Sequence, residues 1–330
     1  MSRNICITSV EGNTGFLIAE LLLSDENFSK QIGTVFGITL NPDSQRCKDL
    51  QTLGATIVPR QPGRLKNVTA SIKNTGADTV CLVPPASRDK VDITTELIEA
   101  TKRAGVPNVL FLSAAGCDLA EPDKQPLLRE FIYLEAMFLA LKGDPSSVAG
   151  RSPVVIRAGF YAENLLAYSL QAREEGYLPI PIGQDHKFPP VALGDVALLA
   201  AHVLTGRGKN GFNDKHRGQL MTLTGPALLN GDELARAASE ALGKDMKFED
   251  ISEFEAKKVL KSQTDTDNSE IQFILEYYSL AREGKTNYVC TTAFCDVTGD
   301  EPQQLVDFFK AYPDEFSEKK PAKRRKVDGK

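Results

Sequence analysis

The chain has 330 residues, of which 42% are hydrophobic and 25% charged, with a net charge of −5. That length and apolar content suffice for one large or two modest globular domains. The acidic balance excludes a body built as a general nucleic-acid binder, and no run of about 18 apolar residues is present to cross a membrane.

The opening MSRNICITSV runs directly into a strand and has no apolar leader with a cleavage site. The six cysteines (Cys6, Cys47, Cys81, Cys117, Cys290, Cys295) form no C-x-x-C pair, which points to free thiols in a reducing compartment. His186, His202 and His216 lack metal-ligand spacing, so no metal site is expected.

Residues 5–8 are a β-type run that meets a turn at Gly12 and Gly15, followed by an apolar helical stretch from Phe16 to Leu22. In such a strand–turn–helix unit the glycines let the backbone approach a pyrophosphate, and the first helical N–H groups face its charge. The string reads S-x-x-G-x-x-G, with Ser9 at the first glycine position; an ordinary βα turn is the alternative. A second strand covers 34–39, and Asn41-Pro42-Asp43-Ser44 then starts a helix reaching about Leu53. A third strand at 54–58 and a short amphipathic helix at 65–75 follow. Residues 78–83 read as a fourth strand stopped by Pro84-Pro85, and 88–104 as a helix with Ile93, Leu97, Ala100 and Ala104 on one side. A fifth strand at 108–113, a helix at 126–142 and a sixth strand at 153–157 complete the first half.

Alternation of apolar strands with helices predicts a doubly wound α/β fold with a parallel sheet covered on both faces. Ligands of such sheets lie at the carboxyl ends of the strands. Those ends are Ser9–Gly15, Leu40, Pro84-Pro85 and Ser113–Gly116. The second half is less regular, with helices expected at 232–243 and 252–262, a strand at Tyr288-Val289-Cys290 and a last helix at 302–312. The expected division is a core over 1–158, a smaller subdomain over 159–317 interleaved with returning core elements, and a disordered basic tail over 318–330.

Several strings agree in order and spacing with one family. They are Gly12-Asn13-Thr14-Gly15, Leu40-Asn41-Pro42-Asp43, Leu112-Ser113-Ala114-Ala115-Gly116, Arg157-Ala158-Gly159-Phe160-Tyr161-Ala162-Glu163-Asn164-Leu165 and Pro189 to Ala197. Together they resemble the NmrA-like family, an atypical branch of the short-chain dehydrogenase/reductases, over about residues 3–316. The resemblance implies a Rossmann fold, a bound NAD or NADP, and a function that is either a reductase or a nucleotide-sensing regulator of transcription. It places the dinucleotide against Ser9, Gly12, Asn13, Thr14, Gly15, Leu40, Pro84, Ser113, Tyr161 and Asn164.

The family commonly carries an Arg after the second strand to pair with the 2′-phosphate of NADP; this chain has Leu40. Arg46 is either a substitute reaching back from the next helix or a solvated helix arginine, and Arg60 or Arg64 is a further source of positive charge. NAD and NADP both stay open. In the broader superfamily a Tyr-x-x-x-Lys pair supplies the proton, the lysine lowering the tyrosine pKa. Here Tyr133 is followed by Met137, so Tyr133 reads as a packing residue and Glu135 as a solvated carboxylate. The catalytic candidates are Ser113, read either as orienting the substrate oxygen or as making a local backbone bond, and Tyr161.

The tail carries Lys323-Arg324-Arg325-Lys326 after Pro321, a string that looks like a nuclear-localisation signal, with a solvated tail as the alternative. The sequence therefore favours a dinucleotide-binding regulator of the cytoplasm, the nucleus or both. Its partners would be a regulatory protein and a nuclear import receptor, with no sequence-specific nucleic-acid binding and no membrane. An NAD(P)H-dependent oxidoreductase acting on a small carbonyl or secondary-metabolite substrate is the alternative.

Overall fold

The computed structural model describes residues 2–140, 152–263, 267–287 and 290–316. Strands β1 (Arg3–Thr8), β2 (Ile32–Thr39), β3 (Thr56–Pro59), β4 (Thr79–Leu82), β5 (Asn108–Ala114) and β6 (Ser152–Ala158) account for the apolar runs of the first half. In the second half, β7 (Tyr177–Ile180) and β9 (Lys247–Asp250) pair with each other, while β8 (Leu220–Leu223) returns to the main sheet. That sheet has seven strands in the order β3-β2-β1-β4-β5-β6-β8. Every neighbouring pair in it is parallel.

Successive residues of a strand face opposite sides of a sheet. Ile5 and Ile7 of β1, Leu110 and Leu112 of β5, and Val154 and Ile156 of β6 therefore share one core with Ile18, Leu50 and Leu199 of the helices Asn13–Ser24, Gln45–Thr52 and Leu193–Thr205. Their neighbours Cys6, Val109, Phe111 and Val155 enter a second core with the helices Leu65–Thr75, Lys90–Ala104, Pro126–Leu139 and Asn268–Arg282. Both faces being covered is why the strands read as unbroken apolar runs.

At the amino end of β1 the buried Arg3 guanidinium donates to Thr79 Oγ1 (3.1 Å) and to the carbonyls of Gly206 and Gly211 (both 2.8 Å). This bond set ties the first strand to the loop that follows helix Leu193–Thr205.

Some boundaries differ from the sequence reading. The helix expected to run to 142 ends at Leu139, and residues 141–151 lie outside the described residues. Of the strand expected at Tyr288-Val289-Cys290, the first two residues lie outside them and Cys290 belongs to no strand. The tail, with Lys323, Arg324, Arg325 and Lys326, also lies outside them. No described helix is long and apolar enough to cross a membrane.

Candidate functional site

A cleft of about 990 Å³ opens at the carboxyl ends of β1, β4, β5 and β6. Its first wall is the turn after β1. Ser9 adopts φ +54°, a left-handed conformation costly for most side chains but tolerated by short polar ones that bond locally. Its hydroxyl donates to the Val83 carbonyl (2.8 Å), tying the ends of β1 and β4, and its own carbonyl accepts from Gly12 N–H (3.0 Å). A Cβ at Gly15 would lie 2.5 Å from that same carbonyl, so only glycine lets the helix Asn13–Ser24 seat against the turn. Gly12 caps this helix with backbone alone, leaving its first N–H groups without a side-chain acceptor. That is the arrangement an anionic phosphate group fits.

The second wall is Arg46, on the helix Gln45–Thr52 that follows β2. Leu40 is exposed and does not line the cleft. Its N–H donates to Glu11 Oε1 at 3.0 Å, so a carboxylate from the glycine turn reaches across to β2. Arg46 is exposed on its helix and also reaches back to the glycine turn. Its Nη1 donates to the Glu11 carbonyl (2.9 Å), its Nη2 donates to Asn13 Oδ1, and the guanidinium lies over Phe16 at 5.9 Å from the ring centroid. Arg60 offers no free charge, because it is buried against Glu96 (Nη2–Oε2 2.7 Å).

Beneath the cleft the register pairs Ser113 of β5 with Arg157 of β6. Both meet Glu135, which corrects the expectation of a solvated carboxylate: Glu135 is 4% exposed. It accepts from Ser113 Oγ (2.6 Å) and receives both Nε (2.8 Å) and Nη2 (2.7 Å) of Arg157. Arg157 Nη1 also pairs with Asp118 (2.8 Å). These bonds to Glu135 hold the guanidinium pKa above its ordinary value. Burial, then the nearby Glu135 charge, pushes the Cys117 thiol up to about 12. Tyr133 is likewise not a packing residue. The helix turns Leu128, Phe131, Leu134, Glu135 and Phe138 inward, which leaves Tyr133 on the solvent side, 55% exposed.

The turn after β6 supplies the third wall. Tyr161 Oη accepts from Thr14 Oγ1 at 3.4 Å, and enclosure of the phenol raises its pKa. Glu163 receives the N–H of Leu193 on both oxygens (3.1 and 3.0 Å), capping helix Leu193–Thr205, and burial raises its pKa. Asn164 closes the turn through its N–H to the Tyr161 carbonyl (3.0 Å) and lines the cleft.

Helix Asn268–Arg282 roofs the outer half with Phe273, Ile274 and Tyr277; Phe273 packs against Phe131 (ring centroids 5.9 Å) and Tyr277 against Phe160 (5.2 Å). Glu270, at the front of that helix, has its pKa raised by burial and lowered in part by Arg46. Lys90 was not singled out by the sequence, although it opens the helix after Pro84-Pro85, at a strand end where ligands are expected. Its Nζ donates to the Leu127 carbonyl (2.6 Å), pairs with Glu130 (2.9 Å) and lies 4.4 Å from the Phe131 ring centroid. Burial lowers its pKa.

Ser9, Gly12, Asn13, Thr14, Gly15, Pro84, Ser113, Tyr161 and Asn164 thus line one cavity, from which Leu40 stands apart. No cluster of three or more His, Cys, Asp or Glu able to hold a metal ion occurs among the described residues.

A parallel doubly wound sheet, with a glycine turn and an uncapped helix after its interior strand β1, defines a Rossmann-type protein with a ligand cleft at its strand ends. The chain matches the NmrA-like family over residues 1–284, and it belongs to that family. It is 26% identical over 274 residues to the NAD(P)H azoreductase of Xenophilus azovorans, covering 83% of this chain and 88% of that protein. Among solved structures it resembles the NADPH-dependent quinone oxidoreductase QOR2 of Escherichia coli complexed with NADPH, with a TM-score of 0.75, 22% identity and coverage of 93% and 99% of the two chains. It also resembles NmrA, a negative transcriptional regulator, in complex with NADP, with a TM-score of 0.70, 15% identity and 94% coverage of each chain.

Proposed function

We propose that this protein binds a nicotinamide dinucleotide along the glycine turn and reduces planar conjugated acceptors of the quinone type in the aromatic half of the cleft. One observation carries the reading. The cavity runs from Gly12 past Ser113 and Tyr161 to a wall of Phe131, Phe160, Phe273 and Tyr277, yet neither hydroxyl is poised as a proton donor. Ser113 donates to Glu135, and burial raises the pKa of the Tyr161 phenol, which makes it a weaker acid.

The bound dinucleotide supplies a hydride. Reduction of an isolated ketone needs a positioned acid, because the product alkoxide is strongly basic. Reduction of a quinone does not: hydride addition gives an aromatic phenolate, which takes its proton from water. The side chains here orient and desolvate the acceptor. The aromatic wall stacks on its plane, and Asn164 offers both a donor and an acceptor to a carboxamide. The names of the azoreductase and the quinone oxidoreductase agree with this chemistry.

The test is oxidation of NADH and NADPH by the full chain with benzoquinone, a naphthoquinone and an aliphatic aldehyde. Turnover is expected with the quinones, absent with the aldehyde, and largely retained in Tyr161→Phe. Aldehyde turnover abolished by Tyr161→Phe would overturn it. A regulatory reading is favoured by the missing Tyr-x-x-x-Lys pair and the basic Lys323–Lys326 string. In that case dinucleotide binding without turnover of any acceptor is the expected result, and a partner responds to the conformation that the bound form favours.

A further inference from the structure

We infer that Glu11 makes the cleft select NAD(H) over NADP(H) by accepting a hydrogen bond from the 2′-hydroxyl of the adenosine ribose. The inference rests on the dinucleotide reading above. In Rossmann proteins that take NAD, an acid at the end of the second strand accepts from the ribose hydroxyls. No acid stands there in this chain: Thr39-Leu40-Asn41-Pro42 ends β2. The fold supplies one from elsewhere. Glu11 leaves the glycine turn and crosses to β2, where its Oε1 accepts the Leu40 N–H at 3.0 Å. Its Oε2 is shielded from solvent and has no hydrogen-bond partner among the described residues. A shielded carboxylate oxygen without a partner is costly, and a ribose hydroxyl delivered at the end of β2 would satisfy it.

A 2′-phosphate meets the opposite conditions. It brings a like charge to the carboxylate, and its oxygens are acceptors facing an acceptor. Two nearby arginines, Arg46 and Arg60, already have partners within the protein. Arg46 uses both terminal nitrogens on the Glu11 carbonyl and on Asn13 Oδ1 and also interacts with Glu270, while Arg60 is buried against Glu96. The arginine that would grip a phosphate bidentately after β2 is Leu40.

Calorimetric titration of the full chain with NADH, NADPH and 2′-deoxy-NADH (lacking the adenosine 2′-hydroxyl) tests the inference. NADH is expected to bind about tenfold or more tighter than either of the others, the scale of one hydrogen bond to a charged group. Glu11→Gln is expected to narrow the NADH to NADPH ratio by a similar factor, mainly by tightening NADPH. Tighter NADPH binding to the native chain overturns the inference, as does equal affinity for NADH and its 2′-deoxy form; the deoxy ligand needs no variant to fold. Absence of binding by every dinucleotide refutes instead the function proposed above.

Discussion

Glu135 shows how a single carboxylate can decide the character of a site. On its helix it is one polar residue among Tyr133, Leu134 and Ala136, and only the register that sets Ser113 beside Arg157 surrounds it with donors. Removing one partner of a buried ion pair leaves the other charge uncompensated, which typically costs about 3–5 kcal/mol. Glu135→Ala is therefore expected to lower unfolding stability by about that amount in urea titration, while Tyr133→Ala, on the solvent side, stays within about 0.5 kcal/mol. A Glu135→Ala protein as stable as the native chain would show that Asp118, already paired with Arg157 at 2.8 Å, compensates the guanidinium without Glu135. The same network explains why Ser113, at the strand end where the superfamily places its catalytic serine, has its hydroxyl directed to Glu135.

Among the elements, helix Asn268–Arg282 does most to shape the outer cleft, and it is held at a point far from the glycine turn. Glu276 accepts the N–H of Leu128 at 2.9 Å, capping helix Pro126–Leu139, whose own Gln125 provides no side-chain cap. Losing such a cap costs about 1 kcal/mol. Glu276→Ala is expected to cost about that much stability and to raise KM for the quinone more than it lowers kcat, because it loosens Phe273 and Tyr277 rather than the nicotinamide end. Equal KM in the two proteins would show that the roof is held by packing alone. This helix was missed in the sequence for a physical reason. It buries Ile271, Ile274, Leu275, Tyr277, Tyr278, Leu280 and Ala281 on most of its circumference, so it shows no polar stripe to set the period. Helix Leu193–Thr205 is buried almost all round in the same way. The six strands of the first half were legible because the parallel sheet demands continuous apolar runs. The four-residue β7, β8 and β9, with charged residues in β9, carried no such signal. Within the site, the glycine turn and the strand ends were readable, whereas Glu11, Arg46 and Lys90 depend on side chains that cross between elements.

At the scale of the whole molecule, the described C-terminal segment is tied back to the core by a carboxylate whose titration the fold alters. Asp195, in helix Leu193–Thr205, accepts the N–H of Gln303 at 2.8 Å, and burial raises its pKa from 3.8 to about 6. The fold thus favours the neutral form. Stability from this group is fully present below 3.8 and is lost as pH rises through about 6. Asp195→Asn, which keeps an acceptor for Gln303 and cannot ionise, is expected to gain stability relative to the native chain across that window. Parallel pH curves for the two proteins in urea unfolding would contradict it. Arg3 has a consequence for biosynthesis. Its guanidinium, near the start of the chain, finds two of its acceptors only at Gly206 and Gly211. At synthesis rates of about 5–20 residues per second, roughly 10–40 s separate its translation from theirs. During that interval β1 lacks two of the acceptors that hold its amino end in the folded protein, so its bond set cannot be completed on the ribosome before the loop beyond helix Leu193–Thr205 has emerged.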